Sequence, residues 1–238
     1  MTPSIIDTAP LAASCGIILP IAAFLHVMRH RRPDELPVSV RRRSGHAQDD
    51  GSTTVMPMRI RHATLDDATA IASVEAACFP AAEAASEREV RARLAVYPNH
   101  FWLMVDTAAT EHGNEADDAG VASDTVRDGR LVAFVNGFVT DEADLTDEMY
   151  EDASMHDEHG AWQMIFGVDT APEYRHHGYA SMLLRAAIED ARAAGRAGLV
   201  LTCKDRLIGF YERLGFVNEG VSGSTHGDVT WYQMRLRF

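Results

Sequence analysis

The chain is almost without lysine: among its 238 residues only Lys204 is one, so arginine carries nearly all the positive charge. Positive charge is also short overall, since 35 acidic residues against 22 basic ones leave a net charge of −13. A nucleic-acid binder needs a basic face to displace the counterions of phosphate, so no nucleic-acid partner is expected. Acidity of this size keeps a protein soluble, and it would suit a cationic amine. Cysteine is scarce too. Cys15, Cys78 and Cys203 are odd in number and far apart, which argues against both a disulfide framework and a zinc site. A reducing cytoplasm is the simple inference. Cys203, at the end of an apolar run, reads as a small buried residue rather than a nucleophile.

A long uninterrupted apolar run is also missing. Residues 11–28 are largely apolar but contain Ser14, Cys15, Pro20 and His26, and the run is at the lower edge of the length that spans a bilayer. No basic residue precedes it, which argues against a cleavable leader. Arg29, Arg31 and Arg32 follow it and, if it spanned, would favour keeping the rest of the chain in the cytoplasm. Residues 33–56 mix proline, arginine, serine, glycine and aspartate and read as linker or disorder. Residues 1–57 are therefore expected to be an extension, residues 58–238 one domain, and membrane association is not expected.

What is present is 46% apolar residues, enough for a packed core. Arg59 to Ala63 is strand-like. Thr64-Leu-Asp-Asp then starts a helix to about Cys78 with Thr64 as N-cap, and a second helix is expected from Ser86 to about Ala95. Phe101 to Val105 and Leu131 to Val139 are strand candidates, joined by an acidic, aperiodic loop from Thr107 to Gly129. Asp141 to Asp152 is expected to be partly helical, and Gly160 to Val168 to be a strand. The remainder reads strand, helix, strand, helix, strand, ending with Val229 to Leu236. That order predicts an α/β fold with a mixed, twisted sheet flanked by helices.

The most informative stretch is Val168-Asp-Thr-Ala-Pro-Glu-Tyr-Arg-His-His-Gly-Tyr-Ala180, which precedes a helical apolar pattern through Met182, Leu183, Leu184, Ala187 and Ile188. A strand, a turn rich in donors and a helix start make a candidate pyrophosphate cradle, because first-turn N–H groups and the helix dipole hold phosphate without a cation. Gly178 would let the backbone approach the ligand, Ala180 would leave it room, and Arg175, His176 and His177 add donors. Adjacent histidines on a turn seldom face one ion, so no metal is expected there.

Downstream, Phe210-Tyr-Glu-Arg-Leu-Gly-Phe216 follows the strand-like run Gly198-Leu-Val-Leu-Thr-Cys203. Together the two segments resemble the acyl-CoA-binding half of the GNAT superfamily of N-acetyltransferases. Within it the resemblance is to the arylalkylamine (serotonin) N-acetyltransferase family and its bacterial relatives. Supporting strings are Cys78-Phe-Pro80, Ala85-Ser-Glu87, Leu131-Val-Ala-Phe134 and Thr202-Cys-Lys-Asp-Arg-Leu207. The likeness runs from about Met58 to the C-terminus. It implies a splayed strand at the acyl-CoA site, with acetyl-CoA as co-substrate, a small primary amine such as a polyamine or aralkylamine as acceptor, and direct attack in a ternary complex. Main-chain groups of Gly167, Val168, Asp169 and Thr170 would pair with the pantetheine arm and polarise the carbonyl. The turn from Arg175 through Tyr179 and Ala180 would hold the pyrophosphate. Phe210 would pack beside the cofactor, Phe79-Pro80 would shape the acceptor pocket, and Tyr211 would be the general acid that protonates the departing thiolate.

An alkylammonium with a pKa near 10.4 must give up about 4 kcal/mol to react near neutral pH, so a base is needed. In the vertebrate enzymes of the resembled family two histidines spaced His-x-His do this work, but the corresponding positions here are Met164 and Phe166, which cannot accept a proton. This departure counts against that base mechanism and against arylalkylamine specificity. The substitutes are His156, Asp169 and Asp205, of which His156 has the most suitable ordinary pKa. Two alternatives stand beside the small-amine reading: a protein or peptide N-acetyltransferase, and a non-catalytic acyl-CoA-binding module.

Overall fold

The alternation in Met-Pro-Met-Arg-Ile-Arg-His produces a strand, Met56–His62, whose neighbours build the rest of the sheet around it. The computed structural model describes residues 36–40, 56–81, 83–110, 124–225 and 229–238, all within the unit Pro33–Phe238. Its strands are β1 (Leu36–Val40), β2 (Met56–His62), β3 (Phe101–Asp106), β4 (Thr125–Val126), β5 (Gly129–Thr140), β6 (Trp162–Thr170), β7 (Gly198–Cys203), β8 (Val217–Val221) and β9 (Tyr232–Arg237). They form one sheet in the order β1-β2-β3-β5-β6-β7-β9-β8, with β4 pairing to β5 off that path. Every pairing is antiparallel except β6 with β7.

Among the described residues five α-helices flank the sheet: α1 (Ala68–Cys78), α2 (Glu87–Val96), α3 (Glu148–Glu151), α4 (Tyr179–Ala193) and α5 (Ile208–Glu212). Residues Leu103, Phe134, Phe138 and Met164 face α1 and α2 in one core. Met104, Val135, Ile165 and Leu201 face α4 and α5 in the other. Helix α4 buries Tyr179, Leu183, Leu184, Ala187 and Ala191, a single stripe at helical spacing. Each fully buried leucine of that stripe contributes about 2 kcal/mol.

Local sequence sets the ends of the helices. Thr64 offers its N–H and hydroxyl to Asp67 Oδ2 at 2.8 and 3.0 Å, closing a capped 3-10 turn, Leu65–Asp67, that leads into α1. The helix stops at Cys78 because Phe79 precedes a proline and is extended, with φ −120° and ψ 151°. Ser86 caps α2 through a reciprocal box with Glu89.

Several expectations differ from this structure. Residues 33–56, read as linker, contribute β1, which pairs with β2. The strand β8 was not anticipated, because Val-Asn-Glu-Gly-Val is an exposed edge with little apolar content. Helix in the acidic segment 141–152 is confined to α3. The apolar run 11–28 and most of the loop between β3 and β4, at 111–123, lie outside the described residues. Among the described residues no helix is long and apolar enough to cross a membrane.

The feature that positions the site is a splay between two strands. β6 and β7 pair only from Trp162↔Gly198 to Ile165↔Leu201, although β6 continues to Thr170 and β7 to Cys203. On the other edge of β6, Asn136 pairs with Gly167 while Gly137 pairs with Ile165, so Phe166 is an extra, bulged residue. The bulge turns the strand end, and the main chain from Phe166 to Thr170 has no strand partner on the β7 side.

Candidate active site

The donor turn lies beyond that splayed end. A short 3-10 turn, Pro172–Tyr174, brings the chain round to Arg175, and both His176 (φ 67°) and Gly178 (φ 84°) adopt the left-handed conformation. Gly178 is the N-cap of α4, and a Cβ built on it would meet nothing within 4 Å. Glycine is therefore demanded here by the backbone angle, and the space outside is open to a ligand. The first-turn N–H groups of Tyr179 and Ala180 have no intrahelical acceptors and face that opening with the positive end of a 15-residue helix. Arg175 Nε donates to Thr170 O at 3.3 Å, tying the turn to the strand. His176 is exposed and His177 half-buried, its ring 5.7 Å from that of Tyr179. The Tyr179 side chain itself is buried in the α4 core, so only its main chain can serve a ligand.

Between the ends of β6 and β7 opens a cleft of about 750 Å³. Gly167 and Val168 form one wall, Thr202 and Cys203 a second, Glu75, Cys78 and Phe79 a third, and Tyr211 closes it from α5. The Tyr211 ring is buried and meets Phe210 and Phe216 edge-on at 5.0 and 5.9 Å. Burial, then the neighbouring Cys203, Asp169 and Tyr150, pushes its phenol above the ordinary range, so it is a proton carrier at neutral pH. Phe210 is half-buried and braces this ring. Burial also pushes the thiols of Cys78 and Cys203 up to about 11, which leaves both protonated near neutrality.

Asp169 is the unusual group. It is 1% exposed, and neither carboxylate oxygen has a hydrogen-bond partner among the described residues. Burial, and then the charge of Glu75, pushes it well above the usual carboxylate range, against the smaller pull of Cys78 and Arg175. Asn136 Oδ1 is likewise buried without a partner. Three acceptor oxygens thus gather with no donor to them among the described residues, and two of them, Asn136 Oδ1 and Asp169 Oδ2, take up the space that a Cβ on Gly167 would need. Glu75, 6% exposed, accepts from Ala85 N–H at 3.2 Å and lines the same cleft.

Two expected bases are not brought to the cleft. His156 is tucked against Tyr97, Phe138 and His100 near the opposite end of β6, where its Nδ1 accepts from Val139 N–H at 3.2 Å. Burial and the His100 charge lower its pKa. The loop around it is acidic in sequence but folds onto an aromatic floor, which removes the histidine from solvent and from the substrate alike. Asp205 is exposed, starts the 3-10 turn Asp205–Leu207, and accepts from Arg206 N–H at 2.7 Å, while its neighbours Lys204 and Arg206 line the cleft. It serves as a turn residue. His100, His156 and Glu158 have donor atoms within 4.8 Å of one another. The Val139 bond leaves the proton of a neutral His156 on Nε2, the nitrogen that faces Glu158 at 3.4 Å, so that atom is not free to ligate a metal.

Sequence reasoning passed over Glu75, Asn136 and Arg93. The available sign was polarity out of place: Glu75 falls on the buried stripe of α1 with Ile71 and Val74, and Asn136 interrupts the apolar run of β5.

A splayed parallel pair, a bulged central strand and an anion-ready helix start thus meet at one end of the sheet. The acetyltransferase (GNAT) family model matches residues 73–216. The chain belongs to this family. It is 32% identical over 111 residues to serotonin N-acetyltransferase of Mesocricetus auratus, a match covering 45% of this chain and 51% of the relative. The chain thus spans about half the length of that curated relative. Similar solved structures include the GphF GNAT-like decarboxylase in complex with isobutyryl-CoA, at 21% identity, TM-score 0.58, and coverage of 75% of this chain and 98% of that one. Another is the NatC complex bound to Gag peptide and CoA, at 12% identity, TM-score 0.52, and coverage of 76% and 98%. At such identities they bear on the fold alone.

Proposed function

We propose that this chain transfers an acetyl group from acetyl-CoA to a small primary amine by direct attack, with Asp169 as the base and Tyr211 as the acid. The observation that carries the reading is the buried, unpartnered carboxylate of Asp169 at the end of the splayed strand, which adjoins Gly167 and Glu75 of the cleft lining and is near enough to the Tyr211 phenol to help raise its pKa. The first-turn N–H groups beyond Gly178 fit the pyrophosphate of acetyl-CoA, and the unpaired main chain of Gly167 to Thr170 fits its pantetheine arm. A main-chain N–H at that strand end would polarise the thioester carbonyl, an interaction worth about 3–4 kcal/mol.

The incoming ammonium supplies the donor that Asp169 and Asn136 lack. A carboxylate with a raised pKa is better matched to taking that proton than an ordinary one. The neutral amine then attacks the thioester carbon, the carbon–sulfur bond breaks as Tyr211 protonates the departing thiolate, the second proton shed by the nitrogen returns to the Tyr211 phenolate, and Asp169 gives up the first to solvent on product release. The small-amine reading draws support from the serotonin N-acetyltransferase relative; the peptide-bound structural neighbour marks the alternative.

The test is free-thiol release from acetyl-CoA as small amines and peptides are titrated into the purified protein. Turnover with small amines but not peptides supports the reading. Turnover confined to peptides would replace it with protein acetylation, and saturable CoA binding without turnover would replace it with a binding module.

A further inference from the structure

Three arginines are buried among the described residues, and their surroundings are not alike. Arg61 is held by Asp67 and Asp128, each at 2.8 Å, and Arg235 by Asp144 at 2.6 Å and Glu219 at 2.9 Å. Arg93, 7% exposed, has no carboxylate within 4.0 Å among the described residues. It falls three residues after Val90 on the inward face of α2 and lines the cleft. Its guanidinium donates to Tyr150 O at 2.7 Å and lies over the Phe166 ring at 5.7 Å.

One carbonyl and one ring do not neutralise a desolvated cation, and a guanidinium has five donors to place. The carboxylates around the cleft are otherwise engaged. Glu83 pairs with Lys204, Asp147 accepts from Ser224 and Thr225, and Glu75 accepts from Ala85 and lies beside Asp169, while Glu89 is held by Ser86 and feels Arg93 only as a charge beyond 4.0 Å. Glu151, the remaining acidic residue of the lining, is exposed and lies beyond 4.0 Å of Arg93.

We propose that the anion is supplied by the substrate: the acceptor amine carries a carboxylate, which Arg93 binds, so the substrate class is a short amino acid rather than a simple alkylamine or polyamine. This rests on the acetyltransfer reading above and narrows it. Phe166, under the guanidinium, and Asp169 lie three residues apart on one strand, and both side chains face α1 and α2. A zwitterion in the cleft can therefore present its carboxylate to Arg93, whose planar fork suits bidentate contact, and direct its ammonium toward Asp169 past Gly167 and Glu75 of the lining.

The experiment measures kcat/KM by thiol release for a series of ω-amino acids of increasing length against n-alkylamines of matching length. At the best-fitting length the amino acid is preferred by about tenfold or more, the effect of one charge-assisted contact. In Arg93→Met that ratio falls to near one, Arg93→Lys restores part of it, and Arg93→Glu turns the preference toward diamines. CoA affinity, followed by calorimetry, shows that each variant is folded. Equal use of both series by the parent protein, or a preference that survives in Arg93→Met, overturns the proposal while leaving acetyl transfer in place. Failure of every amine to react, together with no calorimetric binding of an ω-amino acid to the CoA-loaded protein, overturns both.

Discussion

Asn136 Oδ1 and Asp169 Oδ2 converge on the same point beside β6, 2.6 and 2.9 Å from where a Cβ on Gly167 would stand. Among the described residues neither oxygen has a donor, and Glu75 adds a further carboxylate nearby. An arrangement of acceptors this deep costs stability unless a proton or a cationic ligand completes it, and the chemistry assigned to the cleft follows from that requirement.

The first consequence is a pH dependence. Asp169 acts as base only when ionised, so the rate climbs as pH rises through its raised pKa, above the ordinary carboxylate range. Because the Glu75 charge is one cause of the shift, Glu75→Gln moves this acidic limb of the pH–rate profile to lower pH. A limb that stays in place in the variant would remove the coupling from the account.

Tyr211→Phe keeps the ring contacts with Phe210 and Phe216 and removes only the proton. Its kcat is expected to fall by about 100-fold or more, the usual share of a general acid, with unchanged CoA affinity. A variant with the parent's turnover number would show that the phenol only packs.

Gly178→Ala forces an alanine into φ 84°, which costs roughly 1–2 kcal/mol unless the turn relaxes. Relaxation would re-aim the first-turn N–H groups, so calorimetry is expected to show weaker CoA binding with only a modest loss of melting temperature. Full CoA affinity in this variant would separate the turn from the pyrophosphate.

Fold stability has its own test away from the cleft. Arg61 is clamped by Asp67 and Asp128, and Arg61→Ala strands both carboxylates, so unfolding free energy is expected to drop by about 3–5 kcal/mol in denaturant titration. Burial alone would raise the Asp67 pKa, but the bonds from Arg61 and Thr64 outweigh it and hold the group below its usual range. Its contribution is therefore present above the unfolded-state pKa, about 3.9, and is lost as pH falls through the lower folded value. The parent protein should lose this part of its stability only in acid, and the variant should have little of it to lose.

The donor turn was legible in the letters because its cues are local: a glycine at a positive φ, a proline start and an apolar stripe behind it. The Tyr211 helix was legible for a similar reason, through Phe210-Tyr211 and the terminal Gly215-Phe216. The base was not. His156 and Asp169 differ by whether a loop folds onto Tyr97 or a strand carries its side chain under α1, and both depend on partners 59 and more residues away in sequence. The acidic residues around His156 favour solvent, whereas tertiary packing sets its ring on an aromatic floor. Arg93 was opaque in the same way, since only the fold shows that it is the buried arginine left without a carboxylate among the described residues.

The most direct measurement is the turnover of Asp169→Asn with acetyl-CoA and its best amine, followed from neutral pH toward the amine's own pKa. The account predicts intact CoA binding, a loss of about 100-fold or more at pH 7, and recovery of rate as alkaline solution supplies the unprotonated amine. Parent-level turnover of this variant at pH 7 would contradict it.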